Sequence, residues 1–416
     1  MKSLEIRTLM HLMKVLLENG HSTKDIERVA VNCAHKMGLG EVKPDFDWGR
    51  CSLYDKQGRY LITSPVGFHG MNMKKVDTAL FSVQSYLKDF LTVQDFNHQL
   101  IRASSIKPTY PALFIVACAT GSFGLALIFG AQSLTVLGMI ASVAVIGGIT
   151  RQVAGYYGAS NYAQVFLAAG WAGLCCGAAM RWIGEPDSAL IALCPAMILV
   201  PGPHLINGVM DVVEGYISLG IKRLTSASVT LLSISAGLIV GLHIAGQVLP
   251  LKVDISSPNM AIDFLGAVLA ICSYPVYFSS ALKHVGYTIL VGGFAHSLRW
   301  LLLAHGVTSF LADFWSCLVV GTVLGLAALW KNLSFAGVGF AAVVALVPGM
   351  YVFRTCAGIV QMATQVNAEL VVEVAADFSK ALVILLSISS GLLVGCGLAN
   401  TGWNYLVSGC SGGSRG

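Results

Sequence analysis

The sequence predicts an α-helical polytopic membrane protein, with about ten transmembrane helices arranged as two inverted five-helix repeats and an N-terminal α+β domain. Three observations support this prediction. The 416 residues are 55% hydrophobic and 11% charged, whereas soluble globular domains are about 25% charged. Ten apolar runs are each long enough to cross a bilayer. Two motifs recur in the same order along the chain, which indicates an internal repeat.

Residues 1–105 begin with two predicted helices. Leucines and methionines at helical spacing predict the first helix over residues 4–18. The segment from Ser22 to Asp25 resembles a capping box that opens a second helix, which ends at Gly38. No uninterrupted apolar stretch of signal-peptide type precedes them, so we expect this domain to remain in the cytoplasm.

The rest of the N-terminal domain combines strands with a further helical segment. Short alternating runs between residues 45 and 65 predict a hairpin that turns at residues 55–58. Helical periodicity with mixed charge returns over residues 72–104. The domain is therefore predicted to be a small α+β unit.

Ten apolar runs follow this domain, each near the ~20 residues that a helix needs to cross the hydrocarbon. They cover residues 109–130, 133–152, 162–182, 187–206, 226–249, 262–282, 285–304, 311–330, 333–353 and 380–401. We place the first five-helix repeat at residues 106–255 and the second at residues 256–405. A tail follows at residues 406–416; its last part, residues 411–416, resembles an artificial extension and is left out of the functional argument.

A duplicated pair of motifs divides the apolar region in two. Leu199-Val200-Pro201-Gly202 recurs as Leu346-Val347-Pro348-Gly349, closing the fourth and ninth runs. Residues 231–241 recur as residues 385–395 with nine of eleven positions identical, in the fifth and tenth runs. Equivalent helices are five crossings apart, which is an odd number, so they must run in opposite directions through the bilayer.

Inverted repeats with broken helices are typical of secondary transporters, which bind substrate near the membrane midplane between the repeats. A break frees backbone N–H and C=O groups, and in lipid these groups must bond to neighbours, water or a ligand. The residues of the two breaks are therefore candidate substrate-binding residues: Pro201, Gly202, Pro348 and Gly349.

A polar stripe follows each Pro-Gly motif at helical spacing. The first stripe is Asn207, Asp211, Glu214 and Ser218, and the second is Arg354, Gly358, Gln361 and Gln365. If these segments are helical, each set shares one face. We expect Asn207 and Arg354 to contact substrate, with Arg354 pairing with a carboxylate, and Asp211 or Glu214 to carry protons. The alternative is that both stripes are solvated faces of interfacial helices.

The second motif supplies hydroxyl groups inside the membrane, and they are further candidate substrate ligands: Ser233, Ser235, Ser387 and Ser389. Serine in a membrane helix more often bonds to its own backbone or to a neighbouring helix. His204, beside the first break, and His243 are ionisable groups at or near membrane depth, and we include His204 in the substrate site. Arg151, Arg299 and Asp313 are assigned to membrane interfaces, where their charges stay hydrated.

The sequence has no motif of an enzyme, a metal site or a cofactor site. It lacks a phosphate-binding loop, a His-Glu-x-x-His pair and a nucleophile elbow, so we expect no catalytic residues and no cofactor. Its cysteines form no CxxC pair and read as buried apolar thiols, so neither a disulfide framework nor a metal site is expected. The net charge of +5 forms no basic patch, which argues against nucleic-acid binding.

The chain resembles the threonine/serine exporter family along nearly its whole length. It carries the family's Pro-Gly-x-x-Leu-Ile-Asn motif at residues 201–207, followed by Asp211, and a similar beginning at residues 16–20 and 25–28. The family combines an N-terminal cytoplasmic domain with two five-helix units. In some bacteria these units are separate proteins that together resemble a dicarboxylate (succinate) exporter. The resemblance implies export of threonine and serine driven by the proton motive force.

We interpret the chain as an inner-membrane exporter of threonine or serine, coupled to protons and working by alternating access. A dicarboxylate such as succinate is the second choice of substrate. A channel, or a membrane-bound sensor or enzyme acting through residues 1–105, are alternatives from other functional classes; we prefer a regulatory or gating role for that domain. The glycine-rich helix faces would also allow a homo-oligomer.

Overall fold

The computed structural model describes residues 3–68, 70–184, 186–247, 258–281, 285–331, 335–363 and 367–412. Residues 3–105, here called the N-terminal region, contain four helices and one antiparallel sheet in the strand order β1-β2-β3. The elements are α1 (Ser3–Glu18), α2 (Thr23–Lys36), β1 (Val42–Asp47), β2 (Arg50–Asp55), β3 (Tyr60–Pro65), α3 (Met73–Leu87) and α4 (Val93–Ser104).

The N-terminal region follows the sequence prediction closely, with three corrections. The predicted capping box is wrong, because the Ser22 side chain makes no capping hydrogen bond. The predicted hairpin is confirmed as β2–β3, with Gly58 at a positive φ in the turn, but β1 adds a third strand. The helical segment 72–104 is two helices, because Thr92 caps a new helix through reciprocal bonds with Asp95. Helix α1 lies at the centre of the region and buries Leu9, Leu12 and Leu16.

The rest of the chain is a multi-pass membrane protein. Eight helices are long and apolar enough to cross a membrane: α5 (Pro111–Ile128), α6 (Leu134–Tyr156), α7 (Asn161–Trp182), α10 (Ile217–Ile244), α11 (Met260–Tyr277), α12 (Val285–Ala304), α13 (Ser309–Lys331) and α16 (Ala368–Gly412). They correspond to eight of the ten predicted runs. The described part of the chain has up to ten spans if each of two bent helix pairs also counts as one.

The fourth and ninth runs are the bent pairs. A short 3-10 turn (Pro186–Ala189) leads into α8 (Leu190–Met197), and α9 (Gly202–Val213) follows at an angle of 62°. In the second half, α14 (Phe335–Val343), a 3-10 turn (Val344–Leu346) and α15 (Gly349–Met362) make the equivalent bend of 63°. The sequence prediction placed each Pro-Gly motif at a break near the end of an apolar run, and the structure places a helix on each side of it.

Proline explains the position of both bends. It fixes φ near −65° and has no N–H to continue a helix. Pro201 has φ −79° and ψ 62°, and the Gly202 N–H bonds to the Val200 carbonyl. Pro348 has φ −75° and ψ 47°, and the Gly349 N–H bonds to the Val347 carbonyl. Each break is thus an inverse γ-turn, so the local backbone of the two motifs is the same.

Glycines bring helices together in the same way in both halves. A Cβ on Gly237 of α10 would lie 2.1 Å from the Phe166 carbonyl oxygen of α7. A Cβ on Gly391 of α16 would lie 2.5 Å from the Phe314 carbonyl oxygen of α13. Gly237 and Gly391 occupy the same position of the repeated motif. The duplicated sequence therefore produces a duplicated backbone contact.

Helices α5 and α11 join the two halves and run antiparallel. A Cβ on Gly124 would lie 2.5 Å from the Gly266 carbonyl oxygen, and one on Gly266 would lie 2.7 Å from the Gly124 carbonyl oxygen. Gly121, earlier on α5, lies against Ser273, later on α11. Small residues at such crossings let the two backbones approach closely.

The N-terminal region contacts one end of the helix bundle, here called the proximal end; the opposite end is the distal end. The Met73 and Lys74 N–H groups at the start of α3 donate to the Phe278 and Ser279 carbonyls after α11, at 3.0 and 3.1 Å. The Thr109 N–H, just before α5, donates to the Ser279 hydroxyl at 2.9 Å. Helix α5 therefore begins and α11 ends at the proximal end.

Candidate functional site

The two helix breaks lie against each other. The nearest atoms to a Cβ placed on Gly202 would be methyl groups of Val347 and Val344, at 3.9 and 4.0 Å. For a Cβ on Gly349 they would be the Met197 Cε at 3.0 Å and a Val200 methyl at 4.0 Å. The break of each half thus contacts residues beside the break of the other half.

The surroundings of the breaks are apolar and draw on equivalent positions of both halves. One buried cluster contains Val200, Leu205, Ala227, Leu231, Val352, Cys356, Ala381 and Leu385. Four of these residues are repeat partners, because Leu231 and Leu385 begin the two copies of the repeated motif and Ala227 and Ala381 each lie four residues before it. Polar groups near the breaks therefore operate in a largely apolar interface.

A buried ion pair lies in the first half. Arg223 of α10 places Nη1 2.8 Å from the Asp211 Oδ2 of α9, and the two side chains are 1% and 3% exposed. Lys222, the preceding residue, binds Asp47 of the N-terminal region, so this pair lies near the proximal end. The prediction named Asp211 but missed Arg223.

A second ion pair lies in the other half. Arg354 of α15 places Nε 2.9 Å from the Asp377 Oδ2 of α16. Asn400, further along α16, lines a cleft against the N-terminal region. Because α16 rises about 1.5 Å per residue, Asp377 lies about 35 Å from Asn400 along the helix. The second pair is therefore at the distal end, and Arg354 already has an anionic partner in this conformation.

The other predicted polar residues of α9 contact the N-terminal region. Asn207 is buried and donates its amide to the Gly20 carbonyl at 3.0 Å. The His204 ring lies 6.2 Å from Trp48 and 6.4 Å from Phe68, measured between ring centroids. Glu214, at the end of α9, lies 3.5 Å from the Lys24 Nζ.

The predicted polar stripes are only partly single helical faces. Asn207 and Asp211 share α9, but Glu214 ends that helix and Ser218 belongs to α10. In the second half Arg354, Gly358 and Gln361 lie on α15, while Gln365 lies outside the described residues. The turn between α9 and α10 explains the correction, because Gly215 adopts a positive φ there.

The four serines of the repeated motif are not equivalent. The Ser233 hydroxyl donates to the Val229 carbonyl at 2.9 Å, so its hydrogen atom is already used. The other three hydroxyls are buried and have no hydrogen-bond partner within the described part of the chain: Ser235, Ser387 and Ser389. These three hydroxyls remain available to a ligand or water.

Two profiles of one family match the chain in tandem. Residues 7–245 match the profile described as "Putative threonine/serine exporter", and residues 263–396 match the one described as "Threonine/Serine exporter, ThrE". The first match alone covers more than half of the 416 residues. The chain belongs to the threonine/serine exporter family. Neither the curated proteins nor the solved structures contain a match.

Membership of the exporter family establishes a transporter rather than an enzyme. The unmatched gap between the two matched segments begins after α10 and ends before the middle of α11. Each segment therefore contains one bent helix pair, one repeated serine motif and one ion pair between the bent pair and the following long helix. The exporter thus carries two related sets of candidate site residues.

A cleft of about 760 Å³ separates part of the N-terminal region from the bundle of this exporter. Its polar lining comes from α2 and its preceding loop, from Glu214 and from α16, through His21, Lys24, Asp25, Arg28 and Asn400. Charged groups of both signs therefore lie beside the end of α9, next to apolar lining residues such as Leu329 and Leu393.

One charged residue differs from its predicted position. Asp313 was expected to stay hydrated at an interface, but it is fully buried and paired with Arg299. Arg151 is partly exposed near the end of α6 and lies over the rings of Phe114 and Tyr277, so its assignment to an interface stays a prediction. His243 is exposed near the end of α10, away from the buried pairs. No signal in the single sequence identifies these tertiary partners.

Proposed function

We propose that the chain is a secondary active exporter of threonine and serine in the inner membrane, coupled to protons and working by alternating access. The observation that carries the proposal is the contact between the two helix breaks, Gly202 beside Val347 and Gly349 beside Val200. Secondary transporters bind substrate where broken helices of two repeats meet. The family membership supplies the substrate class.

The proposed architecture is a pair of inverted five-helix units with a cytoplasmic N-terminal domain. Two observations support inversion: α5 begins at the proximal end whereas α11 ends there, and α10 begins there whereas α16 approaches it at Asn400. Had each bent pair entered and left on one side, a unit would have four crossings and the equivalent helices would run parallel. Counting each bent pair as one crossing gives five crossings per unit. Equivalent helices then run in opposite directions, which agrees with the directions of α5 and α11 and of α10 and α16.

The proposed substrate site lies between the first turns of α9 and α15. Helix N-termini favour negative charge, so we assign the substrate carboxylate to the segments that begin at Pro201-Gly202 and Pro348-Gly349. Ser235, Ser387 and Ser389 are the proposed hydroxyl ligands, because their oxygen atoms have no partner among the described residues. Ser233 and Asn207 contribute only if they release Val229 and Gly20, and His204 only if it turns away from Trp48.

The two ion pairs are the proposed gates. Asp211–Arg223 lies near the proximal end and Arg354–Asp377 near the distal end, so alternating access breaks one pair while the other is closed. A proton on Asp211 removes the charge that holds Arg223, which opens the proximal gate. Glu214, next to the cleft, passes the proton to the cytoplasm. At the distal end, the substrate carboxylate replaces Asp377 on Arg354.

Reconstitution into proteoliposomes tests this proposal. Labelled threonine, serine and succinate are compared with and without a pH gradient, for the intact protein, Asp211→Asn and Arg354→Gln. We expect saturable, gradient-dependent movement of threonine or serine that both changes abolish, while Arg181→Gln, at an exposed arginine, leaves transport unchanged. Movement of succinate alone favours the dicarboxylate exporter. Conduction that ignores the gradient and survives Asp211→Asn would establish a channel instead.

A further inference from the structure

A second group of buried ionisable side chains lies in the second half, outside the proposed gates. His296 of α12 places Nδ1 2.9 Å from the Asp263 Oδ2 of α11, and both residues are buried. Arg299 of α12 donates Nε to Asp313 of α13. His296 and Arg299 are three residues apart and so share a helix face. Together these four residues form the distal cluster.

The distal cluster is far from the N-terminal region. Asp263 lies 15 residues before Phe278, whose carbonyl binds α3 at the proximal end. At about 1.5 Å per residue, this separation is about 22 Å along α11. The cluster therefore faces the side of the membrane opposite to the N-terminal region.

Two polar atoms of the cluster are buried without a partner. His296 is 2% exposed and Asp313 is fully buried, yet neither His296 Nε2 nor Asp313 Oδ2 has a hydrogen-bond partner within the residues that the structure describes. An unsatisfied buried polar atom costs free energy that the fold does not recover. An ionisable side chain inside a membrane helix bundle is a candidate functional site.

The first half shows that the fold does not require these charges. Gly147-Gly148 on α6 and Gly292-Gly293 on α12 are equivalent pairs, and the third residue after each pair is Arg151 or His296. In the first half, the Arg151 guanidinium lies over the Phe114 ring of α5, 5.6 Å from its centroid. In the second half, His296 contacts Asp263 of α11 instead. The residue before Phe166 is the buried Val165, whereas the residue before Phe314 is Asp313.

The formal charges of the cluster do not cancel. Asp263 and Asp313 carry two negative charges and Arg299 carries one positive charge, which leaves one net negative charge when the imidazole carries no proton. One proton on the imidazole brings the sum to zero. The ionisable groups that face His296 are Asp263 on α11, Asp313 on α13 and Arg299 on its own helix; α14, also packed on α12, has none among its described residues.

We propose that the distal cluster is the site at which a transported proton enters the exporter from the outer side, with His296 as its acceptor. The proposal rests on the proposed function and adds a second proton site to Asp211 and Glu214. Gly292, one turn before His296, lies directly against the Ala342 carbonyl of α14, where a Cβ would be 2.7 Å away. Protonation that shifts α12 therefore displaces α14, which leads to the break at Pro348.

Two assays on the full chain in proteoliposomes test the site with labelled threonine and serine. The first measures accumulation driven by a pH gradient, and the second measures substrate exchange without a gradient. We expect His296→Gln and Asp263→Asn to abolish stimulation by the gradient but to keep exchange. His296→Arg, which copies Arg151, should do the same because its charge is permanent. His305→Gln is the matched control, since His305 is exposed near the same helix end.

Proton release on substrate addition, recorded in weakly buffered detergent solution, provides a readout without transport. The intact protein and His305→Gln should release the same number of protons, whereas His296→Gln should release fewer. Normal stimulation by the gradient in the His296 variants would overturn the proposal while leaving the exporter function intact. Loss of exchange in all three variants would also overturn the proposal. A sodium gradient that replaces the pH gradient would overturn the proton assignment. No gradient response in the intact protein would instead refute the coupling proposed above.

Discussion

Arg223 and Asp377 occupy the same position in the two halves of the chain and carry opposite charges. Each lies eight residues before the repeated Leu-Leu-Ser-Ile-Ser motif. Arg223 pairs with Asp211 on α9, and Asp377 pairs with Arg354 on α15. Both halves thus fix the second part of the bent helix to the following long helix by one ion pair, with the charges exchanged.

Exchanging the charges of the first pair should therefore be tolerated. Asp211→Asn leaves Arg223 buried without a counter-charge, which costs about 3–5 kcal/mol of stability. The double change Asp211→Arg with Arg223→Asp restores an ion pair of the polarity that the second half already uses. The thermal unfolding midpoint of the purified protein measures this, and a double variant no more stable than Asp211→Asn would contradict it.

The glycine contacts make a second prediction. Gly395 of α16 lies against α13, where a Cβ would be 2.5 Å from the Leu318 carbonyl oxygen, so Gly395→Ala forces the two helices apart. Overpacking of this kind costs about 1–3 kcal/mol. Gly397 has no atom within 4 Å of its Cβ position, so Gly397→Ala should be neutral or slightly stabilising. Unfolding midpoints of the two variants provide the comparison, and equal effects would exclude the packing explanation.

The sequence predicted the positions of the helices better than it predicted which side chains pair between helices. Run length and periodicity determine a span locally, which is why eight runs correspond to eight helices. The breaks at Pro201 and Pro348 were also local, since proline removes a helix N–H and disfavours a continuous helix at its own position. The pairing of Asp211 with Arg223, and of Asp313 with Arg299, depends on how helices pack together. Arg223 and Asp377 stand at equal spacing from one repeated motif, and this was the signal in the sequence that the prediction missed.

Asn207 allows a structural role to be separated from substrate binding. Its amide donates to the buried Gly20 carbonyl, so Asn207→Ala leaves that carbonyl unsatisfied at a cost of about 1–3 kcal/mol. We expect a lower unfolding midpoint, with no change in the concentration of threonine or serine that half-saturates transport. A raised half-saturation at unchanged stability would instead place Asn207 in the substrate site. Ser218→Ala is the control, because its long contact with Asp47 is exposed.

The last prediction concerns pH and His21, which lines the cleft and is 4% exposed. Burial lowers the pKa of His21 from its ordinary value of 6.5. The unfolded chain therefore binds a proton more readily than the folded protein, and stability must fall as pH drops below about 6.5. One such group contributes a slope of at most about 1.4 kcal/mol per pH unit.

His21→Asn should flatten this part of the pH profile, when unfolding midpoints are recorded from neutral to mildly acidic pH. Some slope remains, because desolvation by partial burial also lowers the pKa of His11. His98→Gln is the matched control at an exposed histidine and should follow the intact protein. Parallel curves for His21→Asn and the intact protein would show that another group causes the acid sensitivity. A flattened curve would mean that acid weakens the packing of the N-terminal region at the cleft, beside Glu214 and the Asp211–Arg223 pair.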